Sequence, residues 1–210
     1  MAKQIVFVDG VGGKRYMRGA FIKFFESKGY QVHCFDYSAS SQTLEDILTR
    51  LIDLLTKISS NGEFYAIGYS FGGVALRIAL NQLKPSSIQA SKIILLASPL
   101  KPMRLSTRLR DWRIYRWMAG ECGQFIADNK LIEKVPMPEN PTACVVGTWP
   151  WFGVFWYLFG LHIENDGMVA TDEALPPHAI QSFFVNASHA FIPSNDRALR
   201  IMYEWLSDEH

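Results

Sequence analysis

The chain has 210 residues, 49% hydrophobic and 20% charged, which excludes an intrinsically disordered protein. Roughly 70% of an unfolded chain's surface can be buried at this length, so a core needs no disulfide or metal support. Lys and Arg number 21 against 20 Asp and Glu, a balance of +1, so no global field exists to hold a nucleic-acid backbone and no nucleic-acid partner is expected.

The chain alternates strand and helix signals from end to end. Ile5 to Val8 is a continuous apolar run bounded by Asp9-Gly10, as in a strand buried on both faces. Lys14 to Lys28 shows helical spacing, with Gly29 as a stop. Gln31 to Phe35 reads as the second strand. Thr43 to Ser59 is the clearest helix, with Leu44, Ile47, Leu48, Leu51, Leu55 and Ile58 recurring along one face. Glu63 to Ile67 is the third strand, and Phe71 to Leu83 the third helix. Lys92 to Ala97, Ala143 to Val146 and Ile180 to Val185 read as strands four to six, and Asn195 to Leu206 as the closing helix. Strands separated by helices imply right-handed crossovers and a mostly parallel sheet covered on both faces. One domain over 1–210 is expected. Its pattern loosens between about 99 and 141, where one or two helices form an excursion suited to a lid or one wall of a site.

Two features bear on the compartment. Cys34, Cys122 and Cys144 cannot pair completely and have no metal-ligand spacing, and the start of the chain turns polar too early for a signal peptide. A reducing, cytoplasmic setting is expected. Ala143 to Leu161 carries no charge and is long enough to span a bilayer, but Pro150, three glycines and its opening Ala-Cys-Val-Val favour a strand running into an aromatic loop.

The strongest chemical signal is Gly68-Tyr69-Ser70-Phe71-Gly72-Gly73, directly after an apolar strand and directly before a helix. A serine at such a turn sits in a strained backbone, and small flanking residues avoid clashes. Serine is a weak nucleophile unless a base takes its proton and a third group orients the base. Of five histidines, His210 is terminal, His33 lies inside a strand, His162 borders the aromatic loop and His178 adjoins two prolines. His189 follows the last strand and is placed to reach Ser70. The acid belongs between them, beyond the fifth strand. Asp166, before Gly167, fits; Asp172 is its rival, with Asp111 and Asp128 further from any strand end. Two backbone N–H groups complete an oxyanion hole. Phe71 supplies one, and the loop Asp9-Gly10-Val11-Gly12-Gly13 supplies the other, assigned to Val11. That loop lacks the full Gly-x-Gly-x-x-Gly spacing of a dinucleotide site, and no cofactor or metal is expected.

On these residues the chain resembles a small member of the α/β-hydrolase superfamily. Glycine loop, elbow, Asp166-Gly167 and His189 appear in that superfamily's order. The resemblance implies a three-layer α/β/α fold with a six-stranded sheet in order 2-1-3-4-5-6. Because the first strand already carries the glycine loop, the superfamily's two N-terminal strands are expected to be absent, as in minimal lipases. It also implies a serine esterase or lipase-like enzyme working through an acyl-enzyme. The alternative is a thioesterase or acyltransferase with the same residues, to whose carrier phosphates the run Lys101, Arg104, Arg108, Arg110, Arg113 and Arg116 could offer charge. Two departures stand out. Many esterases carry His-Gly where this chain has Asp9-Gly10, so Asp9 is expected to turn away from the oxyanion toward loop N–H groups or a basic residue. Thioesterases with a similar elbow often take their acid from an earlier strand than Asp166 does. The expected partner is a small ester with an apolar acyl group, held by some of the loop aromatics Trp149, Trp151, Phe152 and Trp156. Contact with a membrane surface is compatible with the sequence but not required by it.

Overall fold

The short apolar runs form strands and the amphipathic stretches form helices, in a computed structural model that describes residues 3–13, 18–83, 90–150, 163–176 and 180–208. The strands are β1 (Lys3–Val8), β2 (Tyr30–Phe35), β3 (Phe64–Tyr69), β4 (Ala90–Leu96), β5 (Thr142–Gly147) and β6 (Gln181–Val185). They make one sheet in the order β2-β1-β3-β4-β5-β6, as expected, with every neighbouring pair parallel. From β1 the chain steps outward to β2, then returns past β1 to β3. The loops after β1 and β3 therefore diverge and leave a crevice at the strands' carboxyl ends. Val8 pairs with Gly68, so the glycine loop and the serine turn emerge side by side.

The helices are α1 (Gly19–Ser27), α2 (Leu44–Ser59), α3 (Phe71–Gln82), α4 (Arg104–Leu109), α5 (Arg113–Ala127), α6 (Asn129–Ile132), α7 (Thr171–Ala174) and α8 (Asp196–Ser207). They cover both faces of the sheet. Ile5 and Phe7 of β1 pack with Phe21 and Phe25 of α1 and with Leu199 and Met202 of α8. Val6 and Val8 pack on the other face with Ile47, Leu51 and Leu55 of α2 and Val74 and Leu76 of α3. Alternate residues of one strand thus serve two cores, which is why the β1 run is apolar throughout. Helix α2 starts where its sequence directs: the Thr43 hydroxyl accepts from the Asp46 N–H and the Asp46 carboxylate accepts from the Thr43 N–H.

The excursion differs in detail from its sequence reading, with three helices instead of one or two. Asp128 ends α5 and begins α6 by accepting the Lys130 N–H at 2.8 Å. Helix α5 itself bends at Gly120, whose φ is 51°. A Cβ there would overlap the Ala39 carbonyl. The helix read from Lys14 is seen from Gly19, and residues 14–17 fall outside the described part. The uncharged stretch from Ala143 opens as β5, as anticipated, and residues 151–162 lie outside the described part. No helix among the described residues is long and apolar enough to cross a membrane.

Candidate active site

Ser70 stands between the last residue of β3 and the first of α3, with φ 54° and ψ −127°. A non-glycine residue at positive φ is strained, and close packing around the turn holds it there. A Cβ at Gly72 would overlap the Val8 and Asp9 carbonyls, and one at Gly68 would overlap the Gly73 backbone. The turn can form only because these positions lack side chains, the requirement anticipated from the motif.

His189, 7% exposed, brings Nε2 to 2.9 Å from Ser70 Oγ and Nδ1 to 2.7 Å from Asp166 Oδ2. A carboxylate can only accept, so Nδ1 carries the proton and Nε2 presents a lone pair to the serine hydroxyl. Asp166, 2% exposed, is itself held: its Oδ1 accepts the N–H groups of Met168 at 2.9 Å and Val169 at 2.7 Å. Gly167 between them has φ 98°, a conformation that favours glycine. Asn165 Oδ1 accepts the Gly167 N–H, and the His189 N–H donates to the Asp166 carbonyl at 2.8 Å. The acid and histidine loops are thereby locked to each other as well as through their side chains.

The other acids fall elsewhere. Asp172 forms a two-pronged ion pair with Arg104, both contacts 2.7 Å, and its side chain is 54% exposed. The bonded guanidinium holds its carboxyl below the usual range. Its neighbour Glu173 is buried and accepts the N–H groups of Arg104 and Ala170, both at 2.9 Å. Burial pushes the Glu173 carboxyl up, against the pull of those donors and of the Arg104 charge. Asp128 caps α6, and Asp111 is exposed in the excursion. His33 lies in β2 with Nε2 at 3.2 Å from Gln4 Oε1, and His162, His178 and His210 lie outside the described residues. Burial pushes the Cys122 and Cys144 thiols up to about 12, which keeps them protonated and unreactive.

The glycine loop abuts the serine: a Cβ at Gly10 would lie 2.8 Å from Ser70 Cβ and 3.3 Å from its Oγ. Val11 follows in a turn closed by the Gly13 N–H donating to the Gly10 carbonyl at 3.0 Å. Phe71 is the first residue of α3, where the helix makes no use of the amide. Asp9 forms a buried ion pair with Arg18, the pairing with a basic residue that was expected of it, and Arg18 also reaches Asp36 at 3.0 Å. Of the aromatic set, Trp149 is 48% exposed and its backbone N–H donates to the Ala187 carbonyl at 3.4 Å, two residues before His189. Trp151, Phe152 and Trp156 lie outside the described residues.

Sequence reasoning missed Tyr69. Its hydroxyl donates to the His189 carbonyl at 2.7 Å, and its ring lies 5.2 Å from the imidazole at 35°. Its ring also touches the space beside Gly10. Burial, and then the Asp166 charge, push this phenol far above its ordinary value, so it stays a donor. The only hint in the sequence is its place inside the elbow. A cavity of about 450 Å³ lined by Arg77, Leu80, Met137 and Pro138 has no part in this arrangement. It lies where α3 ends and β5 begins, at the opposite end of the sheet.

No family model and no curated protein matches the sequence. Solved structures do resemble it. The mature form of Bacillus licheniformis lipase BlEst2 is 17% identical with a TM-score of 0.69, over 99% of this chain and 93% of that one. The NocB thioesterase domain from the nocardicin cluster is 14% identical with a TM-score of 0.64, over 99% and 95%. MGS-MChE2, an alpha/beta hydrolase enzyme from the metagenome of sediments of the Mar Chica lagoon in Morocco, is 16% identical with a TM-score of 0.60, over 98% and 91%. Likeness at such identities concerns architecture, and with the parallel sheet and its strand order it establishes that this chain has the α/β-hydrolase fold.

Proposed function

We propose that the protein is a serine hydrolase that cleaves carboxylic esters of apolar acids through an acyl-enzyme. The observation that carries this reading is the chain of short contacts from Asp166 through His189 to Ser70 at a strained strand-to-helix turn. Ser70 Oγ attacks the ester carbonyl as its proton passes to His189 Nε2. Asp166 accepts from Nδ1–H and stabilises the imidazolium so formed. The amides of Val11 and Phe71 receive the oxyanion. Collapse breaks the bond to the alcohol, which leaves with the proton from Nε2. Water then gives a proton to His189 Nε2 as it attacks the acyl-serine carbonyl; collapse breaks the bond from that carbon to Oγ, Ser70 takes the proton back from Nε2, and the acid departs. The excursion over 99–141 would form a wall or lid of the site. The half-exposed Trp149, tied to the His189 loop, would form part of the acyl surface with Trp151, Phe152 and Trp156.

A second reading, hydrolysis of thioesters by the same residues, draws on the likeness to a thioesterase domain. The test is labelling with a fluorophosphonate probe, followed by rates on p-nitrophenyl esters from acetyl to dodecanoyl and on the matching acyl-CoAs. The expected result is labelling of wild type, none of Ser70→Ala, and kcat losses on the order of 10⁶-fold for Ser70→Ala and His189→Ala. Ester rates should climb with chain length, since each buried methylene contributes about 0.8 kcal/mol. Faster turnover of acyl-CoAs than of esters would transfer the assignment to thioesters. A wild type that takes no label would sink both.

A further inference from the structure

The start of α5 carries a cluster of apolar side chains that the core does not use. Trp112, Ile114, Trp117 and Met118 are exposed by 64%, 71%, 70% and 57%. Asp111, Arg113 and Arg116, interleaved with them, are exposed as well. Tyr115 and Ala119 turn inward, Tyr115 donating its hydroxyl to Ser106 Oγ at 2.7 Å. Beyond the bend at Gly120 the same helix is anchored: Cys122 and Ile126 join the core, and Glu121 accepts the Leu44 N–H at 2.7 Å. One half of α5 therefore joins the core, while the other is held through Tyr115 and Ala119 and presents the rest of its surface outward.

Exposed apolar residues are ordinarily scattered, and a contiguous group marks a contact surface. Ile114, Trp117 and Met118 stand at i, i+3 and i+4 and share one helix face. Arg113 and Arg116 lie on the adjoining flank beside Trp117. From Arg110 to Met118 there are three arginines and one acid, Asp111. An apolar face flanked by guanidinium groups complements a surface with acyl chains beneath anionic headgroups, and indole rings settle at that boundary. The segment is exposed around most of its circumference, so a fluid surface that closes about it fits better than a flat protein face.

We propose that residues 112–118 dock the protein on an anionic phospholipid bilayer. The docking uses none of Ser70, His189 or Asp166, so it stands or falls apart from the hydrolase reading. The test is sedimentation of the full chain with sucrose-loaded vesicles, either phosphatidylcholine alone or phosphatidylcholine with about one-third phosphatidylglycerol. Wild type and Ser70→Ala should bind the mixed vesicles equally, and more weakly as salt rises from about 0.1 to 1 M. Arg113→Gln with Arg116→Gln should weaken that binding about 25-fold, near fivefold per arginine, and leave binding to neutral vesicles unchanged. Trp112→Ser with Trp117→Ser should weaken binding to both by at least about tenfold. No binding of wild type, or equal binding by both double variants, overturns the proposal. A dimer in sedimentation equilibrium that the tryptophan variant dissociates, without vesicle binding, would assign the face to a second copy and also overturn it.

Discussion

Replacing Asp9 with asparagine keeps the shape of a side chain in the loop leading to Val11 and removes its charge. Asp9 is 3% exposed, and its carboxylate is paired with Arg18, itself 4% exposed. Removing one partner of a buried pair costs about 3–5 kcal/mol, because the other charge is left buried without compensation. Arg18 retains Asp36 at 3.0 Å, and that side chain is 60% exposed and solvated, so the cost should fall near the lower end, about 3 kcal/mol. In a chain of this length that lowers Tm by roughly 6–12 °C. Adding Arg18→Met removes the stranded charge, so the double variant should recover most of the loss. Thermal unfolding of the four proteins measures the cycle, and ester hydrolysis below all four transitions measures kcat, which should stay near wild type. A kcat loss of ~10²-fold or more with unchanged Tm would mean that Asp9 acts on the reaction. A double variant as unstable as the sum of the two single ones would deny the pairing.

Asp166→Asn should lower kcat by about 10⁴-fold while Asp172→Asn stays near wild type; the reverse order in ester kinetics would move the acid to Asp172. Tyr69→Phe removes the donor to the His189 carbonyl and should lower stability by about 1–2 kcal/mol. If Tyr69 positions the histidine, kcat falls about tenfold at constant KM; a lower Tm with unchanged kcat would limit it to a structural role. Acidification tests the Arg104–Asp172 pair. Its carboxyl lies below the unfolded value of 3.8, so the pair's contribution is complete above that pH and disappears as pH falls through the folded value. The pair is largely exposed and worth no more than about 1 kcal/mol, so the small Tm gap between wild type and Asp172→Asn should hold steady above the unfolded value of 3.8 and narrow as the pH falls below it. A gap that widens on acidification contradicts that sign.

The parts legible in the sequence are those written in local pattern. Ile5 to Val8 reads as a doubly buried strand because each of its residues enters one core or the other. The α2 stripe reads correctly because Ile47, Leu51, Leu55 and Ile58 all face inward. Gly68, Gly72 and Gly167 are legible for a stricter reason, since side chains at the first two would overlap backbone and the third needs a positive φ. Contacts made by chain closure left no such trace. The Tyr69 hydroxyl meets the His189 carbonyl across 120 residues, and Arg104 meets Glu173 across 69. Arg18 is one basic residue of several near the glycine loop, with nothing periodic to mark it as the partner of Asp9. In the excursion, the apolar residues that would guide a helix assignment include Trp112, Ile114, Trp117 and Met118, which face outward. The pattern there describes a surface as much as a core, so the helix count was not recoverable.

Glu173 has a mechanical consequence. One side-chain oxygen takes the Arg104 N–H at the start of α4, and the other takes the Ala170 N–H, four residues beyond Asp166. Its carbonyl accepts the N–H groups of Leu100 at 2.8 Å and Lys101 at 3.1 Å. Turning the root of the excursion outward would strip two buried acceptors at once, a Glu173 side-chain oxygen and its carbonyl, each costing about 1–3 kcal/mol when left unmet. The root of α4 and the loop bearing the acid therefore travel as one block. If the excursion flanks the site as proposed, its root would be a stationary doorpost, and admission on that side would be set by the shape of the frame instead of the swing of a door.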